Sequence, residues 1–153
     1  MSLEDDIRNL TRIPLFADVE IDALRLIAFS AETRILRAGD ILFRKGEVSD
    51  GGFVVISGSL SLDPEIEGGR GLQAVGPYSL VGELALMTQT ERPVSAVARD
   101  ATTVLKISRP VFQRVLKEFP RTAARLRLSI ESRLIAFTKS VATQNRFTES
   151  SPG

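Results

Sequence analysis

Between residues 33 and 108, short apolar runs alternate with glycine-centred turns, and this pattern limits the possible folds more than any other feature of the chain. The runs follow one another at intervals of roughly 8–12 residues. They are Ile35-Leu36, Ile41–Phe43, Phe53–Ile56, Leu60–Leu62, Leu72–Val75, Val94–Ala98 and Thr102–Ile107. Many short strands at this spacing indicate a β-sandwich or a β-barrel.

Apolar residues at helical spacing flank the strand region on both sides. Leu3, Ile7 and Leu10 share one helix face, and a second helix is predicted from Ile21. Beyond the strands, Pro110 suits the first turn of one helix, and further apolar residues recur to about residue 146. We therefore predict an α+β fold, a single domain over residues 1–146 with a disordered tail over 147–153. Its parts are helices over 1–30, a jelly-roll β-barrel over 33–108 and two C-terminal helices over 109–146.

The chain contains neither histidine nor cysteine in its 153 residues. A Ser-His-Asp triad, a thiol nucleophile and the usual zinc or iron sites are therefore excluded. We expect no enzymatic activity, no catalytic residue, no metal and no cofactor. The longest uncharged runs have 12 residues, fewer than the ~18 that a membrane-spanning helix needs. We expect a soluble, cytoplasmic protein without membrane contact.

Charge is distributed unevenly along the chain, although the net charge is only +1. Residues 1–108 carry 11 Lys/Arg and 16 Asp/Glu, whereas residues 109–153 carry nine and three. Two interpretations stay open: a solvated basic helix face, or a surface for an acidic partner or nucleic acid. No recognisable nucleic-acid-binding motif accompanies the basic segment.

One segment, residues 80–96, interrupts the strand pattern. It predicts a strand, a Gly82-Glu83 turn, about one helical turn, a loop, Arg92 and another strand. The start of a helix presents free N–H groups, and glycine permits close approach of a ligand. A carboxylate such as Glu83 accepts hydrogen bonds from sugar hydroxyls, while the guanidinium of Arg92 neutralises a phosphate. This combination indicates a sugar-phosphate ligand.

The same segment resembles the phosphate-binding cassette of the cyclic nucleotide-binding domain family. The resemblance rests on Gly-Glu-Leu-Ala-Leu at 82–86, with Arg92 nine residues after Glu83, and extends over about residues 10–145. It implies that Glu83 binds the ribose, that Arg92 binds the phosphate, and that the amides of Ala85 and residue 93 contact the phosphate. The chain is similar to the sensor domain of catabolite activator proteins, without the DNA-binding domain. The implied binding residues are Gly82, Glu83, Leu84, Ala85, Arg92, Pro93, Val94, Ser95, Arg133, Phe137 and Thr138.

Pro93 departs from the family pattern, which usually has Ala, Ser or Thr there. Proline has no N–H, so one phosphate hydrogen bond should be missing, and Ser95 could compensate only if its side chain turns inward. Within the C-terminal helices, the resemblance implies that Arg133 is the lid arginine. The two hydroxyl residues that contact the adenine fall on Phe137 and Thr138, so one of these hydroxyl contacts is lost.

These features predict a regulatory module that binds a cyclic mononucleotide, with cyclic AMP favoured over cyclic GMP. Binding would be relayed through the C-terminal helices to an unknown output protein. The last helix carries an apolar stripe, interpreted as core or as the seam of a homodimer: Ala123, Leu126, Ile130, Leu134, Phe137 and Val141. The alternative is a degenerate, ligand-independent interaction or dimerisation module, in which Glu83 and Arg92 form a buried structural ion pair.

Overall fold

The structure, a computed structural model, describes residues 2–66, 68 and 70–132. Two helices precede the strands: α1 (Leu3–Thr11) and α2 (Ile21–Ser30), joined through a 3-10 helix at Pro14–Phe16. Ser2 begins α1 with a capping box, because its hydroxyl accepts from Asp5 N–H while the Asp5 carboxylate accepts from Ser2 N–H. The helices predicted before the strands are confirmed.

Among the described residues, eight strands form two four-stranded antiparallel sheets, with the orders β1-β8-β3-β6 and β2-β7-β4-β5. The strands are β1 (Glu32–Leu36), β2 (Ile41–Phe43), β3 (Gly51–Ser57), β4 (Leu60–Asp63), β5 (Gln73–Val75), β6 (Leu80–Val81), β7 (Ser95–Ala98) and β8 (Thr102–Ser108). Both sheets combine strands that are distant in sequence, as the predicted jelly roll requires. That prediction is confirmed.

Side-chain alternation along β3 and β8 separates two apolar cores. Val54 and Leu105 face the helices, where they join a cluster with α1, α2 and the C-terminal helices. Phe53 and Val55 face the opposite way, into the barrel between the two sheets. Arg92, described below, stacks on Phe43 and Phe53 of this second core.

A short helix, α3 (Glu83–Met87), interrupts the strands, and α4 (Arg109–Glu118) follows them. Ser108 caps α4 by accepting from Val111 N–H at 3.4 Å, and Pro110 occupies the first turn as predicted. Residues 120–132 are helical as well, and Ile130 is buried in the helix-side core. The predicted stripe residues Leu134, Phe137 and Val141 lie outside the described residues, as do the end of the predicted domain and the predicted tail.

No helix among the described residues has the length and hydropathy needed to cross a lipid bilayer.

Candidate functional site

The backbone from β6 to β7 turns sharply at Gly82, which has φ +85° and ψ 41°. This left-handed conformation favours glycine, because a Cβ would crowd the neighbouring backbone. A Cβ at this position would also lie 2.7 Å from Nη1 of Arg92. Gly82 is therefore required both by the turn that begins α3 and by the guanidinium packed against it.

Arg92 is a buried cation at the edge of the barrel core, with only 5% of its side chain exposed. Its Nη2 donates to the carbonyl oxygen of Gly51 at 2.8 Å. The guanidinium carbon lies 4.4 Å from the ring centre of Phe43 and 5.5 Å from that of Phe53. Burial lowers the pKa of Arg92, and the nearby Asp50 carboxylate opposes this shift.

The ion pair of Arg92 is made with Asp50, whose Oδ1 lies 4.0 Å from Nη2. Asp50 also accepts from Lys106 Nζ at 2.6 Å, and this hydrogen bond is the main reason its pKa is lowered. One carboxylate, 68% exposed, therefore serves two cations. Arg92 therefore shares its ion-pair carboxylate with a second cation.

The main chain of Arg92 is fixed by the loop after β2. Its N–H donates to Glu47 O at 2.7 Å, and its carbonyl oxygen accepts from Gly46 N–H at 2.8 Å. These two backbone hydrogen bonds fix the position of the Arg92 Cα, and therefore the point from which its side chain extends to the barrel core.

A cavity of about 540 Å³ lies beside α3 and Arg92. It is lined by Gly82, Glu83, Leu84, Ala85, Thr90, Glu91, Arg92 and Pro93. The structure thus brings together six of the residues predicted from the sequence, and it adds Thr90 and Glu91. A volume of this size falls within the roughly 300–1,000 Å³ typical of small-molecule sites.

The family resemblance implies phosphate binding by the backbone N–H groups of residues 85 and 93, but only one of these residues has such a group. Ala85 N–H donates to Gly82 O at 3.1 Å within the first turn of α3. Pro93 lines the cavity but has no N–H. The donor that this site presents with a full positive charge is therefore Arg92.

Ser95 and Val94 do not line the cavity. The hydroxyl of Ser95 accepts from Lys45 N–H at 2.9 Å and donates to Glu65 Oε1 at 3.0 Å. Val94 packs against the barrel core. The compensation considered for Pro93 would need Ser95 to leave both partners. Arg133, Phe137 and Thr138 lie outside the described residues, so their predicted roles stay predictions.

Arg109, which the sequence analysis missed, joins three parts of the site. Its Nε donates to Ala85 O at 2.8 Å, and its Nη2 donates to Ser49 O and Oγ at 2.8 and 3.0 Å. Ser49 N–H in turn donates to Thr90 O at 2.7 Å. The only sequence signal was an arginine directly before Pro110 at a helix start, which indicates a helix terminus rather than a contact.

No group of three or more acidic side chains converges as a possible metal site in the part of the chain that the structure describes. The family model for the cyclic nucleotide-binding domain matches residues 33–119, which include both sheets, the cassette and α4. The chain belongs to this family. Residues 80–96, which the sequence analysis compared with the phosphate-binding cassette of the family and which we call the cassette, include the residues that line the cavity and the buried Arg92.

Similar proteins include cyclic nucleotide-binding and regulatory proteins. The structure of a cyclic nucleotide-binding-like protein from Brucella abortus is 43% identical, with a TM-score of 0.66, and covers 74% of this chain and 98% of its own. The cyclic AMP receptor protein of Thermus thermophilus is 29% identical over 123 residues, which are 79% of this chain and 57% of that protein.

A lysophospholipase of Phaeosphaeria nodorum is 31% identical over 113 residues. This match covers 72% of the chain but spans only 7% of that protein's length. Its enzymatic activity is therefore not carried over to this chain.

Proposed function

We propose that the cavity binds a cyclic mononucleotide, cyclic AMP in the first instance, and that the domain is a regulatory sensor. The observation that carries this proposal is Arg92, a buried guanidinium in the lining of an open cavity, whose ion-pair partner Asp50 is shared with Lys106. A buried charge without full compensation is unfavourable. An anion in the cavity would supply the missing negative charge.

The charges around the cavity favour a cyclic phosphodiester over an open mononucleotide. A cyclic phosphodiester carries one negative charge, which matches one guanidinium. Glu83 and Glu91 also line the cavity, and like charges repel at close range. A 5′-phosphate carries two negative charges, so these carboxylates would repel it more strongly than the singly charged cyclic phosphodiester. In the proposed complex, Glu83 accepts from the ribose hydroxyl and Arg92 donates to the phosphate.

Cyclic AMP is preferred over cyclic GMP for two reasons. Position 93 is proline and lacks the hydroxyl that the family resemblance links to cyclic GMP binding. The similar protein from Thermus thermophilus carries the name of a cyclic AMP receptor. The missing amide at Pro93 reduces the expected affinity by roughly tenfold or more, because a charge-assisted hydrogen bond contributes about 1.5–3 kcal/mol.

A structural change caused by nucleotide binding would be transmitted through Arg109 to the C-terminal helices. Because Arg109 bonds Ala85 of α3 and begins α4, a shift of the cassette would move α4 as well. We propose in addition that the last helix forms the seam of a cytoplasmic homodimer. The support is the apolar stripe of the sequence, which continues through Leu134, Phe137 and Val141 beyond the buried Ile130. Light scattering tests the dimer: a mass of 16.7 kDa at micromolar concentration would contradict it.

The ligand is tested by thermal unfolding of the whole chain with cyclic AMP, cyclic GMP or 5′-AMP. Binding only to the folded state raises Tm. Cyclic AMP should raise Tm most, and 5′-AMP least. The absence of any shift at millimolar concentrations of all three would leave the ligand-independent interaction module as the better account.

A further inference from the structure

A groove distinct from the nucleotide cavity lies where α3, α4 and the 120–132 helix meet. It has a volume of about 440 Å³ and is lined by Met87, Gln113, Leu116, Lys117 and Arg127. We call it the α3–α4 groove. Gln113, Leu116 and Lys117 lie three and four residues apart, so they project from the same face of α4.

The chemistry of the groove is apolar at its base and cationic at its rim. Met87 and Leu116 are half-buried, whereas Lys117 and Arg127 are exposed. Neither cation forms an ion pair with another described residue, whereas Arg114 is paired with Glu118 at 2.9 Å. Residues 109–132 hold six Lys/Arg against two Glu, so the surrounding surface is strongly positive.

We propose that the α3–α4 groove binds an acidic amphipathic helix of a partner protein. Apolar side chains of the partner would cover Met87 and Leu116, and flanking carboxylates would pair with Lys117 and Arg127. This is the usual way in which a helix binds a groove, and methionine adapts its shape to the occupant. Of the two open interpretations of the basic C-terminal region, this proposal selects the acidic partner.

A second copy of the chain fits this groove less well. A two-fold interface would place the same positive surface on both sides, where like charges repel. A nucleic acid would meet the cations, but its phosphates would leave Met87 and Leu116 without an apolar partner. An acidic helix satisfies both parts of the groove.

The groove also connects to the nucleotide site, and this part of the inference rests on the proposed function. Met87 is the last residue of the cassette helix α3, and Arg109 ties α3 to α4. A nucleotide that moves α3 relative to α4 would change the shape of the groove. Because linkage is reciprocal, partner binding would change nucleotide affinity by the same factor.

Fluorescence anisotropy with the whole chain tests the groove without nucleotide. The probe is a fluorescein-labelled helical peptide of about 16 residues, with leucines at i, i+3, i+4 and i+7 and glutamates beside them. We expect micromolar binding that weakens with added salt, and at least about tenfold weaker binding when lysines replace the glutamates. Equal binding of both peptides, or no binding of either, would overturn the proposal.

Variants with reversed charge in the groove provide a second test of the proposal. Lys117→Glu with Arg127→Glu should lower affinity for the acidic peptide at least about fivefold and favour the lysine peptide. The matched control is Arg37→Glu with Arg99→Glu, which changes net charge equally at exposed positions that do not line the groove. Equal loss in both double variants, dimerisation through the groove, or displacement of the peptide by duplex DNA would contradict an acidic helix as occupant.

Cyclic AMP is then added to the peptide complex. A change in peptide affinity of about fivefold or more supports the coupling. Peptide binding without any cyclic AMP binding would support the groove as a docking site and contradict the proposed nucleotide function. If the peptide and cyclic AMP both bind but neither changes the affinity of the other, only the proposed coupling between the two sites would be contradicted.

Discussion

Nε of Arg109 donates to the carbonyl oxygen of Ala85 across 2.8 Å, and this bond joins the first turn of α4 to the cassette helix. The same guanidinium donates twice to Ser49, and Ser49 holds Thr90 in the loop that leads to Arg92. A single side chain thus fixes both ends of the cassette relative to α4. Its planar fork is needed, because an ammonium group cannot reach both partners in this way.

Arg109→Lys should therefore lower the free energy of unfolding by about 1.5–3 kcal/mol, as expected for the loss of hydrogen bonds from a charged donor. Urea denaturation measures this change. The control is Arg114→Lys, which alters an exposed pair with Glu118 and should cost no more than about 0.5 kcal/mol. Equal effects in the two variants would show that Arg109 does not hold the cassette.

Gly82→Ala should destabilise the fold and weaken nucleotide binding together. The left-handed backbone at φ +85° costs an alanine about 1–2 kcal/mol, and the new Cβ would displace Nη1 of Arg92. Gly39→Ala is the matched control, since Gly39 has φ +90° but no atom within 4 Å of the added Cβ. Stability should fall in both variants, and calorimetric affinity only in Gly82→Ala. Unchanged affinity in Gly82→Ala would mean that this close packing does not position Arg92 for the ligand.

Asp50→Asn should lower stability at neutral pH, and the loss should disappear in acid. The pKa of Asp50 is lowered in the folded state, so its stabilisation is present above its unfolded pKa of about 3.9 and is lost as pH falls through the folded value. Because Asp50 is largely exposed, the effect at pH 7 should stay within about 1 kcal/mol. Chemical denaturation from pH 7 to pH 3 measures the difference. A constant difference over this range would show that the charge of Asp50 contributes nothing.

Pro93→Ala should bind cyclic AMP more tightly than the wild type. The substitution restores an N–H beside Arg92 in the lining of the cavity, and this hydrogen bond is worth about 1 kcal/mol or more. Apo stability should fall by a few tenths to about 1 kcal/mol, because the unfolded chain gains freedom. Pro77→Ala lies at an exposed turn outside the cavity and should leave affinity unchanged. Equal or weaker binding in Pro93→Ala would mean that this amide does not point at the phosphate.

The local features of the site could be predicted from the sequence, whereas its long-range contacts could not. Gly82 and α3 follow from a glycine turn and a short helical run, and both were found where the sequence placed them. Arg109 and Ser49 are 60 residues apart, and their contact depends on how the sheets close. The direction of Ser95 likewise depends on Lys45 and Glu65, which only the folded barrel brings to it. Residue spacing carries no information about such contacts.

The role of Asp50 was missed for the same reason. From the sequence, Glu83 was the carboxylate considered as an ion-pair partner of Arg92, in the alternative without a ligand. In the fold, Asp50 directly precedes β3 and lies 4.0 Å from the guanidinium, and β8 brings Lys106 to the same carboxylate. The pairing of β3 with β8 places Asp50 near both cations, and this pairing was not predictable from residue spacing.

Isothermal titration calorimetry of cyclic AMP against the wild type, Arg92→Ala and the exposed control Arg99→Ala tests the central claim most directly. We expect one cyclic AMP per chain in the wild type and in Arg99→Ala. Arg92→Ala should lose at least about a hundredfold in affinity, as expected for ~3 kcal/mol from a desolvated charge pair. Circular dichroism would establish that Arg92→Ala is folded. Cyclic AMP binding of equal strength in a folded Arg92→Ala, or no heat of binding in the wild type, would contradict the claim that Arg92 receives the phosphate.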